Sequence, residues 1–399
     1  MVRIRVVQFS VAAGLAGLLV APAVAAAQTP ATPVTLSPLS TLSPLSRAAL
    51  KAALAPSGPA VAATQDPAQP MPAGGGRVFN PDMSVIANFV GVTGKNPNNT
   101  EPTMSLSEVE VALQAVVDPY ARADFYIAAG PEGMNVEEGY ITFTSLPGNF
   151  QMKVGKLHAQ FGKVNTLHTH ALPYADRPLA MLNLLGGEEG LSDSGISVSR
   201  LIPAGDLFLE ATGEVYAGTS GLYQSSQRSK LNYVGRLRAY RDITEGTNID
   251  IGASGSFGPT SEVGPESNKT LLGIDATFRY RPLRRAIYRR FQARTELYWS
   301  RQDLATTTVE PIKAFGWYAL AEYQFARRWY AGGRIDRSDR ALDATLTDSG
   351  QSFFLTYWPS EFSQIRGQFR RTNYAEGITG SEFLFQFNFS IGAHGAHVF

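Results

Sequence analysis

Cysteine is absent from the 399-residue chain, which excludes a disulfide framework and thiolate metal sites. An excess of either charge is missing too. Lys and Arg total 35 against 34 Asp and Glu, a balance that argues against nucleic acid and against a polybasic membrane-surface binder. Past the N-terminal segment, no apolar run is long enough to cross a bilayer as a helix. Enzyme signatures are lacking as well: there is no nucleophile elbow, no P-loop and no H-E-x-x-H. No spacing pairs a serine with a histidine as a barrel lipase would require. The sequence therefore reads as a non-enzyme without a cofactor.

What the chain does have is strand periodicity. Phe383, Phe385, Phe387 and Phe389 alternate with Glu382, Gln386, Asn388 and Ser390. One face of such a strand is more apolar than a soluble edge strand tolerates. Apolar-out and polar-in alternation is the pattern of an outer-membrane β-barrel, with lipid on one side and a wet lumen on the other. A membrane protein without membrane helices must be a barrel. The terminal Phe399 resembles the aromatic signal read by the barrel-assembly machinery, with Phe387 and Phe389 as part of it.

The N-terminus supplies an address. Arg3 and Arg5, an apolar stretch at 6–20 and Ala25-Ala26-Ala27 form a secretory signal peptide over residues 1–27. Residues 28–80 are rich in Pro, Ala, Ser and Thr, carry a tandem Thr-Leu-Ser-Pro-Leu-Ser, and read as a disordered periplasmic linker. Residues 81–399 are then the barrel, with lipids of the outer membrane as partner and both termini periplasmic.

Alternation runs almost continuously through that third segment, giving about sixteen strands in an all-β antiparallel transmembrane barrel. Val109, Val111 and Leu113 oppose Glu108 and Glu110, Phe125 opposes Asp124, and Leu272, Ile274 and Phe278 oppose Arg279 and Arg281. Tight connections are expected at 118–120, 145–149, 203–206, 242–246, 326–328 and 359–361. Longer polar ones are expected at 93–103, 218–230, 258–268, 302–311, 338–350 and 373–380. Their alternation matches short periplasmic turns and longer surface loops.

Residues 156–193, the third surface loop, show no sustained alternation, and a loop of that length is usually functional. It holds Lys156, His158, His168, His170, Asp176, Arg177, Glu188, Glu189 and Asp193. The expectation is that it folds into the lumen and sets a constriction. His168-Thr169-His170 is an H-x-H pair whose rings would share one side of an extended segment. With a carboxylate nearby it offers Zn²⁺ or Cu²⁺ ligands, so the metal question stays open. His394 and His397 form a second pair. Charges facing the lumen divide by half: Glu108, Glu110 and Asp124 early, then Arg236, Arg238, Arg279, Arg281, Arg294, Arg334, Arg366 and Arg370. Such a division sets a transverse field, unless the charges pair with one another.

Val154-Gly155-Lys156, Phe161-Gly162, Asp176-Arg177 and Asp193-Ser194-Gly195 make the chain similar to outer-membrane porins of the phosphate-selective family. The resemblance covers residues 150–200 and the C-terminal strand. It implies a sixteen-stranded, trimeric channel with an inward-folded third loop. The family's regularly spaced lysine and arginine ladder is missing from the loop, so the resemblance does not extend to a phosphate site. Two functions follow from the sequence. One is a channel for passive diffusion of small hydrophilic solutes, favouring anions. The alternative is an outer-membrane receptor barrel that binds a ligand or metal through the loop histidines.

Overall fold

A computed structural model describes residues 81–392 except 100, 101, 132, 226, 262–266 and 305–309. The expected signal peptide at 1–27 and the expected linker at 28–80, the histidines at 394 and 397 and the terminal Phe399 lie outside the described residues.

Sixteen strands follow one another. The first eight are β1 (Asp82–Lys95), β2 (Met104–Asp118), β3 (Ala121–Gly130), β4 (Gly133–Leu146), β5 (Phe150–His158), β6 (Ser192–Ala204), β7 (Leu207–Tyr216) and β8 (Asn232–Thr244). The second eight are β9 (Thr247–Thr260), β10 (Ser267–Tyr280), β11 (Arg290–Gln302), β12 (Ile312–Ala326), β13 (Trp329–Arg340), β14 (Asp343–Ser360), β15 (Ser363–Asn373) and β16 (Thr379–Gly392). Each pairs antiparallel with its sequence neighbours, and β1 pairs with β16, so the sheet closes. Closure satisfies the backbone donors and acceptors within the sheet and leaves no edge. At the seam Phe387 lies opposite Phe89 and Phe389 opposite Ala87.

The sequence alternation maps onto the two faces of the wall. On β16, Phe383, Phe385 and Phe389 are 48%, 40% and 44% exposed, while Glu382, Gln386 and Asn388 are buried on the opposite face. The same split runs through β10, where Leu272 and Ile274 are exposed and Asp275 and Thr277 are buried.

One end of the barrel carries mostly tight turns, such as 119–120, 205–206 and 327–328; the other carries most of the longer connections, 159–191 foremost. Two connections depart from expectation. Residues 281–289 make a longer link at the turn end. The loop expected at 338–350 is strand instead: β13 reaches Arg340 and β14 begins at Asp343, leaving a two-residue turn. The outward face is polar there (Asp339, Asp343, Thr345, Thr347), so no apolar lipid side betrays the strands. The third loop is also shorter than expected, because β5 and β6 extend to His158 and Ser192.

Residues 159–191 carry their own apolar cluster. It contains Phe161, Val164, Leu172, Tyr174, Met181 and Leu184, the last two on the short helix α1 (Leu179–Leu184). These pack with Tyr216, Leu271, Tyr298 and Tyr318, wall residues on the unexposed face. A fully buried side chain of this size contributes roughly 2–3 kcal/mol, so the cluster outweighs any single polar anchor.

Candidate functional site

The segment 159–191 is held to the wall by hydrogen bonds at several points around the barrel. Glu296 on β11 accepts from the backbone N–H groups of Lys163 (2.9 Å) and Val164 (3.0 Å), and from the hydroxyls of Tyr298 (2.7 Å) and Tyr318 (2.5 Å). The N–H of Gly162 donates to Ser254 on β9 at 3.1 Å, and that of Gln160 to Glu214 on β7 at 2.8 Å. Gly162 sits at φ +63°, and a Cβ there would lie 2.2 Å from Glu296 Oε2, so only glycine lets the backbone approach. At the base of the segment, Asn165 Nδ2 donates to the carbonyls of Ala159 (2.8 Å) and Leu191 (2.9 Å), and its Oδ1 accepts from the Leu191 N–H. Gly190, φ +65°, passes so close that a Cβ would meet Asn165 Oδ1 at 2.3 Å.

Charge complementarity docks the segment at two places on the wall, a basic one on β13 and β15 and an acidic one on β2 and β4. On the basic side, Asp176 Oδ2 accepts from Arg334 (2.9 Å) and Arg370 (3.0 Å), and its Oδ1 accepts from Gln368. Burial alone would raise the Asp176 pKa, but the two guanidiniums bring it down to about 2. Arg334 also lies over the Tyr174 ring, 4.3 Å from its centroid. On the acidic side, His168 Nδ1 lies 2.7 Å from both Glu110 Oε2 and Glu137 Oε2, and its Nε2 lies 3.1 Å from Glu138 Oε2. His170 Nδ1 lies 3.0 Å from Glu108 Oε1. The His158 and His168 rings are 5.6 Å apart, and those of His168 and His170 are 5.7 Å apart. Burial would lower the His168 pKa, yet its carboxylate partners hold it well above the ordinary imidazole value. With acceptors on both ring nitrogens, the imidazolium donates twice.

Two bulges build the acidic wall. Tyr126 pairs with Glu138 and Ile127 with Val136, so Glu137 is the extra residue on β4. That extra residue turns Glu137 toward the same ring as its neighbour Glu138, where plain alternation would separate them. On β2, Asn88 pairs with Glu108 and Phe89 with Leu106, which makes Ser107 the extra residue beside Glu108. Strict alternation therefore missed Glu137, and the adjacent pair Glu137-Glu138 inside an alternating run was the available signal.

The histidines are brought together as the H-x-H spacing suggested, but in a tighter conformation. His168 is extended and His170 lies in the 3-10 turn Thr169–Ala171. Arg177 is buried and donates to the Leu167 carbonyl at 3.3 Å. Other loop candidates stand apart. Lys156, on β5, donates to the Val136 carbonyl at 2.7 Å. Glu188 and Glu189 are exposed at the loop end. Asp193, on β6, accepts from Thr219 N–H (2.8 Å) and Oγ1 (2.6 Å), tying down the next loop.

Most of the arginines named from the sequence are paired. Arg236 bonds Asp275 (2.9 Å), Arg238 bonds Asp250 (2.9 and 2.8 Å), Arg334 bonds Asp336 (2.8 Å) and Arg370 bonds Glu382 (2.6 Å). Arg366 donates to Thr356 at 3.1 Å and to Gln386. Asp124 accepts from Arg122 and Gln114. Arg279 lies 3.8 Å from Asp250. Arg281 is exposed in the 281–289 connection. Arg294 is 4% exposed, and its Nε and Nη1 have no hydrogen-bond partner among the described residues.

Cavities enter from both ends. At the turn end lies one of about 810 Å³, lined by seven arginines, among them Arg279, Arg294 and Arg366, against Glu322 and Glu361. A second turn-end cavity of about 290 Å³ is lined by Lys153, Glu210, Arg238 and His158. At the loop end, a cavity of about 260 Å³ is lined by Glu108, Glu137, Glu189, His168 and again His158.

In fold the molecule is similar to outer-membrane porins. The anion-selective porin from Comamonas acidovorans superposes with a TM-score of 0.55 at 10% identity, over 78% of this chain and 99% of that one. OprB of Pseudomonas putida gives 0.53 at 10% identity, over 78% and 94%. The trimer form of in-vitro folded OmpT from Vibrio cholerae gives 0.53 at 11% identity, over 78% and 99%. No family model matches the sequence. An uncharacterized protein of Aquifex aeolicus is 31% identical over 387 residues, covering 81% of each chain. The chain belongs to the family of that Aquifex aeolicus protein, and its fold is the sixteen-stranded antiparallel barrel that outer-membrane porins share.

Proposed function

We propose that this protein is an outer-membrane channel for passive diffusion of small hydrophilic solutes, narrowed by residues 159–191 as an inward-folded loop. One observation carries the reading. Polar cavities open from both ends of an apolar-sided closed barrel and converge on His158, which lines the 260 Å³ cavity at one end and the 290 Å³ cavity at the other. A sixteen-stranded barrel without such a segment leaves a wide aqueous lumen. The docking of 159–191 on Glu214, Ser254, Glu296, Arg334 and Gln368, all on the unexposed wall face, supports its place as the constriction.

The turn-end cavity gives the channel a preference for anions. Its arginines outnumber its carboxylates, and charges near a narrow path act at short range, where salt screens them least. Lys163 adds to this field. Burial, with Arg238 next to it, lowers its pKa to about 8, so it is largely protonated at neutral pH. The motifs around Val154-Gly155-Lys156 support kinship with phosphate-selective porins, while the solute preference rests on the arginine vestibule. The loop end faces outward and the turn end the periplasm, and the barrels associate as homotrimers, as the trimer form of OmpT does.

Swelling of proteoliposomes in iso-osmotic sugars of increasing size tests the channel. Small sugars should enter and larger ones should not. Swelling no faster than in protein-free liposomes, for every solute, would refute it.

A further inference from the structure

We propose that Glu110, Glu137 and His168, flanked by Glu108 and His170, form a binding site for a divalent first-row transition-metal ion that ties the 159–191 segment to the barrel wall. The ligand atoms of Glu110, Glu137 and His168 all lie within 4.8 Å of one another, and so do those of Glu108, Glu110 and His170, with Glu110 common to both sets. In a tetrahedral zinc site neighbouring ligand atoms are about 3.3 Å apart. The pairs here, at 2.7 Å to 3.7 Å, need only small side-chain adjustments. An ion would sit between His168 Nδ1 and the carboxylates, held by a neutral imidazole nitrogen.

A second observation points to a ligand. His158 is 7% exposed, its Nδ1 has no hydrogen-bond partner among the described residues, and its ring centroid lies 5.6 Å from that of His168, the two planes inclined by 58°. A neutral imidazole nitrogen left unsatisfied in a buried polar cluster costs free energy unless something occupies the space before it. Charge favours a cation. Glu108 and Glu137 line the cavity with Arg177, whose Nε and Nη1 are also unpartnered among the described residues, and with Glu110 and Glu138 at His168 the carboxylates outnumber the cations. Imidazole nitrogen with carboxylate oxygen suits zinc, iron, nickel or manganese better than calcium, which favours oxygen alone. Entry is open through the 260 Å³ cavity, which Glu108, Glu137 and His168 line. The ligands come from two sides: carboxylates from β2 and β4, histidines from the loop. A bound ion therefore bridges them.

The test uses the full-length barrel in detergent, purified on a tag without histidine and stripped with EDTA. It is titrated with Zn²⁺ by calorimetry and with Co²⁺ by visible absorption. Saturable binding near one ion per chain is expected, weakened about 100-fold or more by H168Q and by E110Q. Changing His394 and His397 together to Gln should leave it unchanged. Heat-modifiable mobility on gels reports whether each variant is a folded barrel, and E137Q, on the bulge, serves if H168Q does not fold. Absence of saturable binding in the wild type overturns the proposal, as does binding that H168Q, E110Q and E137Q leave intact. Neither result bears on solute diffusion, which the swelling assay reads separately.

Discussion

Asp176 is the latch of the basic side, and D176N tests it. The variant keeps the side-chain volume and removes the charge. Its carboxylate is bonded to Arg334 and Arg370 and its side chain is 11% exposed. Burial opposes ionisation there, and the two guanidiniums overcome it, so the pKa falls from 3.8 to about 2. At about 1.4 kcal/mol per pKa unit that is roughly 2 kcal/mol of docking. Breaking a buried ion pair outright costs more, about 3–5 kcal/mol. Here Arg334 keeps Asp336 and Arg370 keeps Glu382, so the smaller figure applies. Two kcal/mol corresponds to roughly a 30-fold rise in the open population of the segment. Because the chain has no cysteine, a single M181C on α1, fully buried, gives a clean reporter of maleimide access. D176N/M181C should label about 30-fold faster than M181C. The sign with pH follows from the lowered pKa: the stabilisation is complete above about pH 4 and is lost as pH falls through 2. Wild-type conductance should rise over that interval, and D176N conductance should not. Equal labelling rates in two folded barrels would show that the ion pair does not hold the segment.

E296Q should accelerate M181C labelling as well, because each carboxylate oxygen accepts two of the four donors, so two of them then meet an N–H group, at a cost of about 1–3 kcal/mol for each donor left unsatisfied. G162A should do the same, since its Cβ would overlap Glu296; unchanged labelling in G162A would refute the close approach. F387R, on the lipid face beside the closure seam, should lower barrel stability by roughly 2–4 kcal/mol if it lies at the bilayer midplane, read from urea unfolding in lipid vesicles. Anion selectivity, measured as reversal potential in a KCl gradient, should decline between pH 7 and pH 9 as Lys163 loses its proton, and K163M should abolish that decline.

The barrel was legible because lipid and lumen impose opposite demands on successive residues. Phe383 to Phe389 alternate with Glu382, Gln386 and Asn388 for that reason, and the structure keeps the two sets on opposite faces. Alternation fails where the environments stop differing. At 338–350 the outward face is polar as well, through Asp339, Asp343, Thr345 and Thr347, so strand looked like loop. Inside the barrel the failure is reversed: Leu271, Tyr298, Tyr318 and Leu384 are apolar on the lumen face. The first three pack with the apolar cluster of 159–191, so the wall there resembles a protein core.

The histidine–carboxylate cluster was half legible. His168 and His170 stood out by spacing, and Glu108 and Glu110 by alternation. Glu137 joins them only through a bulge, a feature of strand pairing that no local pattern encodes. Of the arginines expected along the lumen, Arg236, Arg294, Arg334 and Arg366 are buried and Arg281 is exposed outside the strands, and most are paired rather than free. Asp250 and Asp275 lie one and two strands from the arginines of β8 that they meet, so register decides those pairs, whereas Asp336 meets Arg334 two residues away on the same strand.

The central claim, a channel constricted by its third loop, is tested most directly by single-channel conductance in planar bilayers, comparing the wild type with a variant lacking residues 167–187. The wild type should conduct in small steps and the deletion in markedly larger ones, with the barrel still folded. Equal conductance would contradict the role of the loop, and a deletion barrel that conducts nothing would contradict the channel itself.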